Sequence, residues 1–291
     1  MLIIGRSLVF YGILKHHNIM QEFNYFNGQI IPAAETKIHV SDLAFQRGYG
    51  IFDFFRVIRG RPVFLSDHLD RFESGARQMG LPVTESRERL LDIISELIRL
   101  NPDELLGIKI ILTGGYSADG FTPAKESNLL ILPKPFALRD PADGLKLMLL
   151  EYQREIPQVK TLNYITPIRM LSRLAERKAD DFLYHSRGLV SESSRSNIFI
   201  VKNEQIITPK TGVLPGITRK HLIAKSNRLF AVEQRDVTLT ETLAADEVFV
   251  TRSSQRIQAV TQIDDRVFNN GKPGKITEKL REFLLREEIQ D

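Results

Sequence analysis

The sequence predicts an α/β fold with two domains. Its 291 residues suffice for one large or two medium-sized domains. Runs rich in strand-forming residues and amphipathic segments with helical spacing occur in both halves of the chain. A segment with three prolines, 133–144, lies between the halves and ends in a glycine. We therefore predict a small N-terminal α/β domain over 20–132, a linker over 133–145 and a larger C-terminal α/β domain over 146–291.

Composition argues against several classes of protein. The chain has 42% hydrophobic and 26% charged residues, which is ordinary for a globular protein. Its net charge of +4 is spread without a dense basic patch, so we expect no nucleic-acid partner. It contains no cysteine, which excludes disulfides and thiolate chemistry and agrees with a cytoplasmic location. No motif indicates a metal site.

The first nineteen residues differ from the rest of the chain. Met1–Leu14 is apolar, but it is too short to span a bilayer and lacks the basic start and cleavage site of a signal peptide. Met20 directly precedes the first segment with clear strand signals. We therefore expect residues 1–19 to be a disordered or non-native extension, with translation starting at Met20, and we expect no membrane anchor.

The N-terminal half is predicted to contain a hairpin, three further strands and two helices. Asn27-Gly28 is a strong turn signal, whereas Gly48 and Gly50 indicate a sharp bend into a strand. Ser66 is the expected N-cap of the first helix, because its hydroxyl can accept from a free N–H of the first turn. The predicted elements are a hairpin over 24–32, strands over 52–58, 107–112 and 128–132, and helices over 65–79 and 84–100.

The C-terminal half is predicted to begin with a strand and to end with a helix. Thr166-Pro167 starts a helix, since a proline needs no N–H partner in a first turn. Gly216 permits close backbone approach before a helix that begins at Thr218, and the free N–H groups of that helix can attract an anion. The other predicted features are a buried helix face at 168, 171 and 174, strands over 146–152, 182–184, 189–190, 198–201, 205–208 and 246–251, and a C-terminal helix after 274.

Lys160 and Glu192 are the candidate catalytic pair. A lysine in a buried pocket loses hydration, which lowers its pKa from about 10.4, and a neutral amine can form a Schiff base with an aldehyde. A carboxylate in the same pocket can keep a pyridine nitrogen protonated. These are the two groups that pyridoxal phosphate chemistry needs. Taken alone, however, a lysine and a glutamate are usually surface residues.

Three motifs carry a family resemblance: K-T-L-N-Y over 160–164, S-E-S-S-R-S-N-I-F over 191–199 and L-P-G-I-T-R over 214–219. In this order they resemble the signature of the fold-type IV pyridoxal phosphate enzymes, and the similarity runs from about Phe23 to about Leu285. That family includes branched-chain aminotransferases, D-amino acid aminotransferases and aminodeoxychorismate lyases. The resemblance implies the family's two-domain fold, with the cofactor pyridoxal 5′-phosphate bound by the C-terminal domain.

The resemblance also implies which residues contact the cofactor. Lys160 would hold it covalently and move protons, while Glu192 would pair with its ring nitrogen. The D-H-L-D-R segment over 67–71 resembles the family's E-H-x-x-R-L, whose arginine binds the phosphate, and this implies the same role for Arg71. A guanidinium suits that role because it makes two parallel, charge-assisted hydrogen bonds. The other implied cofactor contacts are Tyr164, Ile217, Thr218, Ser253 and Ser254.

The sequence specifies the substrate less well than the cofactor. The segment over 48–53 resembles the family's G-D-G-x-F-E, and Phe52 stands where typical D-amino acid aminotransferases have a tyrosine. The surrounding sequence resembles a divergent subgroup of those enzymes. In that subgroup, basic residues at the positions of Arg47 and Lys109 bind the substrate carboxylate. Arg56 is a third candidate for this role.

Several interpretations of the function remain open. Our first prediction is an aminotransferase that moves an amino group between an amino acid and a 2-oxo acid, with a lean to D-amino acids. The alternatives are an L-branched-chain amino acid aminotransferase and, since K-x-L-N also resembles the lyases, an aminodeoxychorismate lyase that releases pyruvate. A non-enzyme domain is disfavoured by the presence of Lys160, Glu192 and Arg71. The resemblance also implies a homodimer, with Arg47 reaching across to the other subunit.

Overall fold

The protein folds around two β-sheets, one from each half of the chain. The computed structural model describes residues 22–138, 144–226 and 230–290, so the expected extension over 1–19 lies outside the described residues. The strands are β1 Phe23–Phe26, β2 Gln29–Pro32, β3 Gly50–Ile58, β4 Arg61–Pro62, β5 Leu105–Thr113, β6 Leu129–Pro135, β7 Leu145–Glu151, β8 Asp181–Ser186, β9 Leu189–Ser193, β10 Asn197–Lys202, β11 Gln205–Pro209, β12 Val232–Arg235, β13 Val237–Thr238, β14 Glu247–Arg252, β15 Arg256–Ile263 and β16 Arg266–Val267. The helices are α1 Leu43–Arg47, α2 Leu65–Gln78, α3 Arg87–Leu100, α4 Ile165–Arg169, α5 Leu171–Arg177, α6 Ile217–Ser226, α7 Leu239–Leu243 and α8 Lys275–Gln290.

The N-terminal sheet has six strands in the order β2-β1-β6-β5-β3-β4, and all of its pairs are antiparallel. Helices α2 and α3 bury their apolar residues against it, as Leu69 and Phe72 of α2 and Leu90 of α3 show. An antiparallel sheet with helices on one face is a stable arrangement because each element buries one apolar side. Residues 133–135, placed in the linker by the sequence, are the last residues of β6.

The C-terminal sheet is mixed and follows the order β12-β11-β10-β14-β15-β7-β8-β9-β13. A further pairing between Glu192 of β9 and Asn197 of β10 closes its central strands into a ring. As in any strand, alternate residues of β10 point to opposite faces of the sheet, and both faces of this strand are buried. Ile198 and Ile200 belong to one apolar cluster, whereas Phe199 packs in another with α6 and α8. This double burial explains why β10 reads as a continuous apolar run.

The segment that carries Lys160 joins the two halves through backbone hydrogen bonds. The N–H of Phe52 donates to the carbonyl of Lys160, and the N–H of Leu162 donates to the carbonyl of Gly50, both at 2.9 Å. A β-bridge between Ile51 and Thr161 lies between these two bonds. The backbone on both sides of the Lys160 carbonyl is therefore fixed to strand β3 of the N-terminal sheet.

The structure corrects the predicted start of α2. Phe64, not Ser66, is the residue before the helix, and its backbone is left-handed with a φ of 53°. Ser66 lies inside the first turn, where its hydroxyl accepts a hydrogen bond from Arg87 at 3.0 Å. Helix α3 begins with a side-chain cap, because the hydroxyl of Ser86 accepts from the N–H of Arg89 at 3.2 Å.

Helices α4 and α5 bury less apolar surface than the sequence predicts. Ile168 and Leu171 are 63% and 56% exposed, whereas Leu174 is buried. The predicted single helix breaks at Met170 into two short ones, so these three residues do not share one face. Within the described ranges, no helix is long and apolar enough to cross a membrane.

Candidate active site

A cavity of about 600 Å³ lies where the two halves of the chain meet. Its wall takes residues from β3, α2 and β5 of the first half and from β9, α6 and the turn after β14 of the second. This size is ordinary for a small-molecule site. Nine of the eleven predicted site residues line the cavity: Arg71, Lys109, Lys160, Tyr164, Glu192, Ile217, Thr218, Ser253 and Ser254.

The amine of Lys160 lies against the aromatic wall of the cavity, with Nζ 4.5 Å from the centroid of the Phe52 ring. Burial, together with the nearby charge of Arg71, lowers the pKa of Lys160 to about 7. In the part of the chain that the structure describes, no carboxylate forms an ion pair with this amine. A substantial fraction of the amine is therefore neutral near pH 7, which a nucleophilic lysine requires.

Glu192 is buried near the end of β9, and both of its carboxylate oxygens accept hydrogen bonds. Oε1 accepts from Nε of Arg154 at 2.8 Å, and Oε2 accepts from the N–H of Leu214 at 2.9 Å. Burial raises the pKa of Glu192, whereas Arg154 and the Leu214 N–H oppose that rise. Arg154 itself donates to the carbonyls of Pro157 and Val159. These contacts fix a cation beside the buried carboxylate and favour its ionised form.

Arg71 projects from α2 and is oriented by a buried carboxylate. Its Nε and Nη2 donate to the two oxygens of Asp53, each at 2.8 Å, and its Nη1 donates to the carbonyl of Pro215 at 3.2 Å. Nδ1 of His68 lies 2.6 Å from Oδ1 of the same aspartate. Burial alone would raise the pKa of Asp53, but Arg71 and His68 hold it well below its usual range. The guanidinium is thereby fixed beside the turn that precedes α6.

Hydrogen-bond donors of the C-terminal half line the same cavity. Ile217 and Thr218 are the first residues of α6, where backbone N–H groups lack partners within the helix. Ser253 contributes a hydroxyl from the turn after β14. The hydroxyl of Thr251 is buried in the cavity wall and has no hydrogen-bond partner among the residues described. An orphaned hydroxyl among free N–H groups suits an oxyanion.

Gly216 lets the chain pass close to Asn197, which agrees with the predicted close approach at this glycine. A Cβ atom at Gly216 would lie 1.9 Å from Oδ1 of Asn197, so no larger residue fits without movement. The amide of Asn197 in turn donates to the carbonyl of Leu214 at 2.9 Å. This asparagine therefore fixes the turn that leads into α6.

Lys109 lies in the cavity wall among aromatic side chains. Its Nζ is 5.2 Å from the centroid of the Phe52 ring, and Phe54 and Phe136 line the same cavity. Burial and then the charge of Lys134 lower the pKa of Lys109. No carboxylate of the described chain forms an ion pair with it, so its amine can bind an acidic group of a ligand.

Arg47 and Arg56 do not line the cavity. Arg47 is the exposed last residue of α1, and it donates to the carbonyl of Gln46 at 3.0 Å. Arg56 is 2% exposed and forms a buried ion pair with Glu288. The structure thus corrects the prediction for Arg56, because a guanidinium already paired outside the cavity wall cannot bind a substrate carboxylate within it.

Sequence reasoning missed three residues that shape the site. Arg154 lies in a loop outside any motif, Thr251 is the fifth residue of strand β14, and Asn197 belongs to a motif that gives it no role of its own. Of these, Asn197 carried a usable signal, because it belongs to the S-R-S-N-I-F stretch. The positions of Arg154 and Thr251 are set by tertiary contacts that no local pattern encodes.

Comparison with known proteins identifies the family. Residues 50–263 match the family described as amino-transferase class IV. The match covers most of the chain and includes the segments that carry Arg71, Lys160, Glu192 and the start of α6. The chain belongs to the class IV aminotransferase family, and it is an enzyme.

Individual relatives and solved structures agree with this family. The "Putative branched-chain-amino-acid aminotransferase" of Methanocaldococcus jannaschii is 32% identical over 272 residues, which cover 89% of this chain and 93% of the relative. The D-alanine aminotransferase of Bacillus licheniformis is 27% identical over 271 residues, which cover 89% of this chain and 94% of the relative. A structure of the T.th. branched-chain amino acid aminotransferase was solved with N-(5′-phosphopyridoxyl)-L-glutamate. It matches with a TM-score of 0.86 at 25% identity, and the match covers 91% of this chain and 93% of the other. The structure of a "Putative 4-amino-4-deoxychorismate lyase" of Legionella pneumophila matches with a TM-score of 0.81 at 28% identity, and the match covers 88% of this chain and 97% of the other.

The cofactor of class IV aminotransferases is pyridoxal 5′-phosphate, and the residues of the cavity fit it. The partly neutral amine of Lys160 fits the aldehyde, and the carboxylate of Glu192 fits a protonated ring nitrogen. Arg71, the free N–H groups of α6 and the orphaned hydroxyl of Thr251 fit a phosphate.

Proposed function

We propose that the protein is an aminotransferase that moves an amino group between an amino acid and a 2-oxo acid, and that it prefers D-amino acids. The observation that supports this best is that a desolvated amine, Lys160, and a buried carboxylate, Glu192, line one cavity. Pyridoxal phosphate, when bound, supplies an electron-withdrawing ring that stabilises negative charge at the substrate Cα. The residues of the protein then determine where the protons go.

In this proposal Lys160 transfers the proton. The Lys160 amine would hold the cofactor in the resting enzyme and would move protons during turnover. With a pKa of about 7 it can take the proton from the substrate Cα and deliver it to C4′ of the cofactor. The backbone hydrogen bonds that join the Lys160 segment to β3 keep the lysine at a fixed position during this transfer.

The other cavity residues would hold the ring and the phosphate. Glu192, held in place by its hydrogen bond from Arg154, would pair with the ring nitrogen. Burial raises the pKa of Tyr164, so its phenol stays protonated and can donate to the ring hydroxyl. The phosphate contacts would be Arg71, Ile217, Thr218, Ser253 and Ser254.

Lys109 is our proposed contact for the substrate carboxylate, with Arg47 supplied by a second subunit. The unpaired amine of Lys109 in the cavity wall supports the first half of this proposal. The lean to D-amino acids rests on the resemblance of the segments around Arg47 and Lys109 to the divergent D-specific subgroup. A D-alanine aminotransferase among the relatives agrees with that lean.

Two alternatives have specific support. A relative named for branched-chain amino acids is 32% identical to this chain, which favours an L-branched-chain substrate. The similar Legionella structure carries a lyase name, which favours elimination with release of pyruvate. Both reactions would use the same Lys160 and Glu192.

We further propose a cytoplasmic homodimer. Segment 38–47 and loop 116–121 lie side by side, since the N–H of Ser117 donates to the carbonyl of Ser41 at 3.0 Å. Together they expose Val40, Phe45 and Phe121, which are 61%, 70% and 79% exposed. Apolar surface of this kind is common where a second subunit binds. The cytoplasmic location rests on the absence of cysteine from the sequence.

A half-reaction tests the proposed function and its alternatives. The protein loaded with pyridoxal phosphate is mixed separately with D-alanine, D-glutamate, L-leucine and L-glutamate, without an acceptor. We expect the absorption band of the pyridoxal form to convert to that of the pyridoxamine form with the D-amino acids. Lys160→Ala is the control, and it should show no conversion with any of them.

The other outcomes distinguish the alternatives. Conversion with the L-amino acids alone would make the protein a branched-chain enzyme and reject the D-preference. No conversion, combined with pyruvate release from aminodeoxychorismate, would make it the lyase. Failure of the wild-type protein to bind the cofactor would contradict every form of the proposal.

A further inference from the structure

Arg56 links the N-terminal sheet to the turn after β14. It lies on β3 and is almost fully buried. Its Nε donates to the carbonyl oxygen of Ser253 at 2.5 Å. Ser253 and Ser254 line the cavity, whereas Arg56 does not. A side chain outside the cavity wall therefore holds the backbone of a residue within it.

Glu288 of α8 fixes the other side of this guanidinium. Its Oε1 pairs with Nη2 of Arg56, and its Oε2 accepts from Nε of Arg256 at 2.6 Å. Burial lowers the pKa of Arg56, and the charge of Glu288 opposes that effect. A guanidinium removed from water needs a carboxylate partner of this kind. The C-terminal helix thus completes the contact between Arg56 and Ser253.

The geometry of the peptide bond turns this contact into a constraint on an N–H group. In a trans peptide, the carbonyl of one residue and the N–H of the next point in opposite directions, and the described chain has no cis peptide. Because the carbonyl of Ser253 faces Arg56, the N–H of Ser254 faces away from Arg56. This N–H donates to no other group of the chain over the described ranges.

We infer that Arg56 and Glu288 are positioning residues that hold the turn at Ser253–Ser254 so that the N–H of Ser254 and the hydroxyl of Ser253 bind an oxyanion in the cavity. The inference rests on the proposed function, because the oxyanion is either the phosphate of the cofactor or the carboxylate of the substrate. Neither Arg56 nor Glu288 touches the ligand. They act by fixing the orientation of one peptide group.

Two variants of the purified, cofactor-loaded enzyme test this inference. Glu288→Gln preserves the shape of the side chain but removes the charge that neutralises Arg56 and Arg256. Arg56→Lys keeps a positive charge but lacks the planar fork that serves both Ser253 and Glu288. Arg56→Lys therefore still tests the inference if Glu288→Gln does not fold. The exposed Glu282 on the same helix provides the matched control, Glu282→Gln.

Three measurements separate a positioning role from a structural one: the dissociation constant of pyridoxal phosphate, the ³¹P resonance of the bound phosphate, and KM with kcat for the amino acid. If the turn binds the phosphate, both variants should weaken cofactor binding about tenfold and shift the ³¹P resonance. If the turn binds the substrate carboxylate, the ³¹P resonance should stay in place and KM should rise about tenfold at unchanged kcat. The control should match the wild type in either case.

Other results would overturn the inference. Variants with a lower Tm but with unchanged cofactor affinity, ³¹P resonance and KM would mean that the Arg56–Glu288 pair only stabilises the fold. A wild-type protein that binds no pyridoxal phosphate would instead reject the proposed function, and the inference with it. The two failures are therefore distinguishable, because only the second occurs in the unmodified protein.

Discussion

Lys160 is a lysine whose amine has been removed from water by the meeting of the two halves of the chain. Burial and then the nearby positive charge of Arg71 disfavour its protonation, and they outweigh the opposing charges of Asp53 and Glu192. Such an environment destabilises the charged amine in the absence of a ligand. The burial that keeps the amine of Lys160 partly neutral therefore lowers the free energy of unfolding of the cofactor-free protein.

The stability of the cofactor-free protein should reveal that cost. The folded pKa of Lys160, about 7, lies below its ordinary value of 10.5, so unfolding takes up a proton between these two values. The lysine thus destabilises the folded state most below pH 7, and the effect fades as the pH rises toward the ordinary value. We expect Lys160→Met to raise the free energy of unfolding by up to about 4 kcal/mol near pH 6 and to change it little above about pH 10.

Urea unfolding of the cofactor-free wild type and variant, across that pH range, checks this prediction. The exposed Lys279 on α8 provides the control, because its side chain already lies in water, and Lys279→Met should not stabilise the protein by a comparable amount. A stabilisation of Lys160→Met that is equal at both ends of the range would mean that the lysine is not desolvated in the folded protein.

Single residues were predictable from the sequence only where a motif carried them. Lys160, Glu192 and Arg71 belong to ordered motifs, and all three line the cavity. The sequence predicts a substrate contact for Arg56 because an arginine in a strand near the bend carries no local sign of its partner. That partner, Glu288, lies 232 residues further along the chain. Contacts of such separation follow from the fold and not from local pattern.

At the scale of elements, the turn into α6 is the most constrained segment of the site. The N–H of Leu214 binds Glu192, the carbonyl of Leu214 binds Asn197, and the carbonyl of Pro215 binds Arg71. Gly216 follows directly, against the side chain of Asn197. One short turn thus connects the proposed partner of the ring nitrogen with the proposed phosphate contacts.

Gly216→Ala should damage this turn. Its Cβ would lie 1.9 Å from Oδ1 of the buried Asn197, so either that side chain or the turn must move. We expect the dissociation constant of pyridoxal phosphate to rise about tenfold or more, because the hydrogen bonds of Leu214 are disturbed. A fluorescence titration of the cofactor-free protein measures this constant.

Gly75→Ala in α2 is the matched control. Its Cβ would meet Val159 and Ile51 at ordinary distances of 3.5 and 3.6 Å. The substitution should leave cofactor affinity unchanged and stabilise the helix by as much as about 1 kcal/mol. Equal cofactor affinity for Gly216→Ala and the wild type would show that the turn tolerates displacement.

Elements were predicted better than their ends and faces. The first hairpin, α2, α3 and the strands around Lys160 and Glu192 occur close to their predicted positions, because their periodicity is strong. The start of α2 was misplaced because Phe64 adopts a left-handed backbone, which its residue type does not favour. The exposed Ile168 and Leu171 follow from the break at Met170.

At the scale of the whole molecule, the exposed apolar surface on 38–47 and 116–121 is the feature that a single chain does not explain. Val40, Phe45 and Phe121 are largely exposed, and Arg47 lies in the same region. A second subunit that covered this surface would remove apolar area from water. It would also bring the partner's surface close to the exposed Arg47.

If the protein forms the dimer that we propose, replacement of Phe45 and Phe121 by serine should shift it toward the monomer. Sedimentation velocity over a range of protein concentrations measures the shift, and we expect the dissociation constant of the dimer to rise more than about tenfold. Leu91→Ser on α3 is the matched control, because Leu91 is also a large apolar residue, 41% exposed, on a different element. This variant should leave the dissociation constant of the dimer unchanged. A wild type that sediments as a monomer would refute the proposed dimer.

The backbone bonds between β3 and the Lys160 segment also give the molecule a built-in reporter of its internal motion. The N–H groups of Phe52 and Leu162 are each held by a carbonyl from the other half of the chain. Neither proton can exchange with deuterium in the solvent unless the β3 edge and the Lys160 segment separate. The hydrogen-exchange rate of these two amides therefore reports how readily the Lys160 segment separates from β3, and it does so without any catalytic turnover.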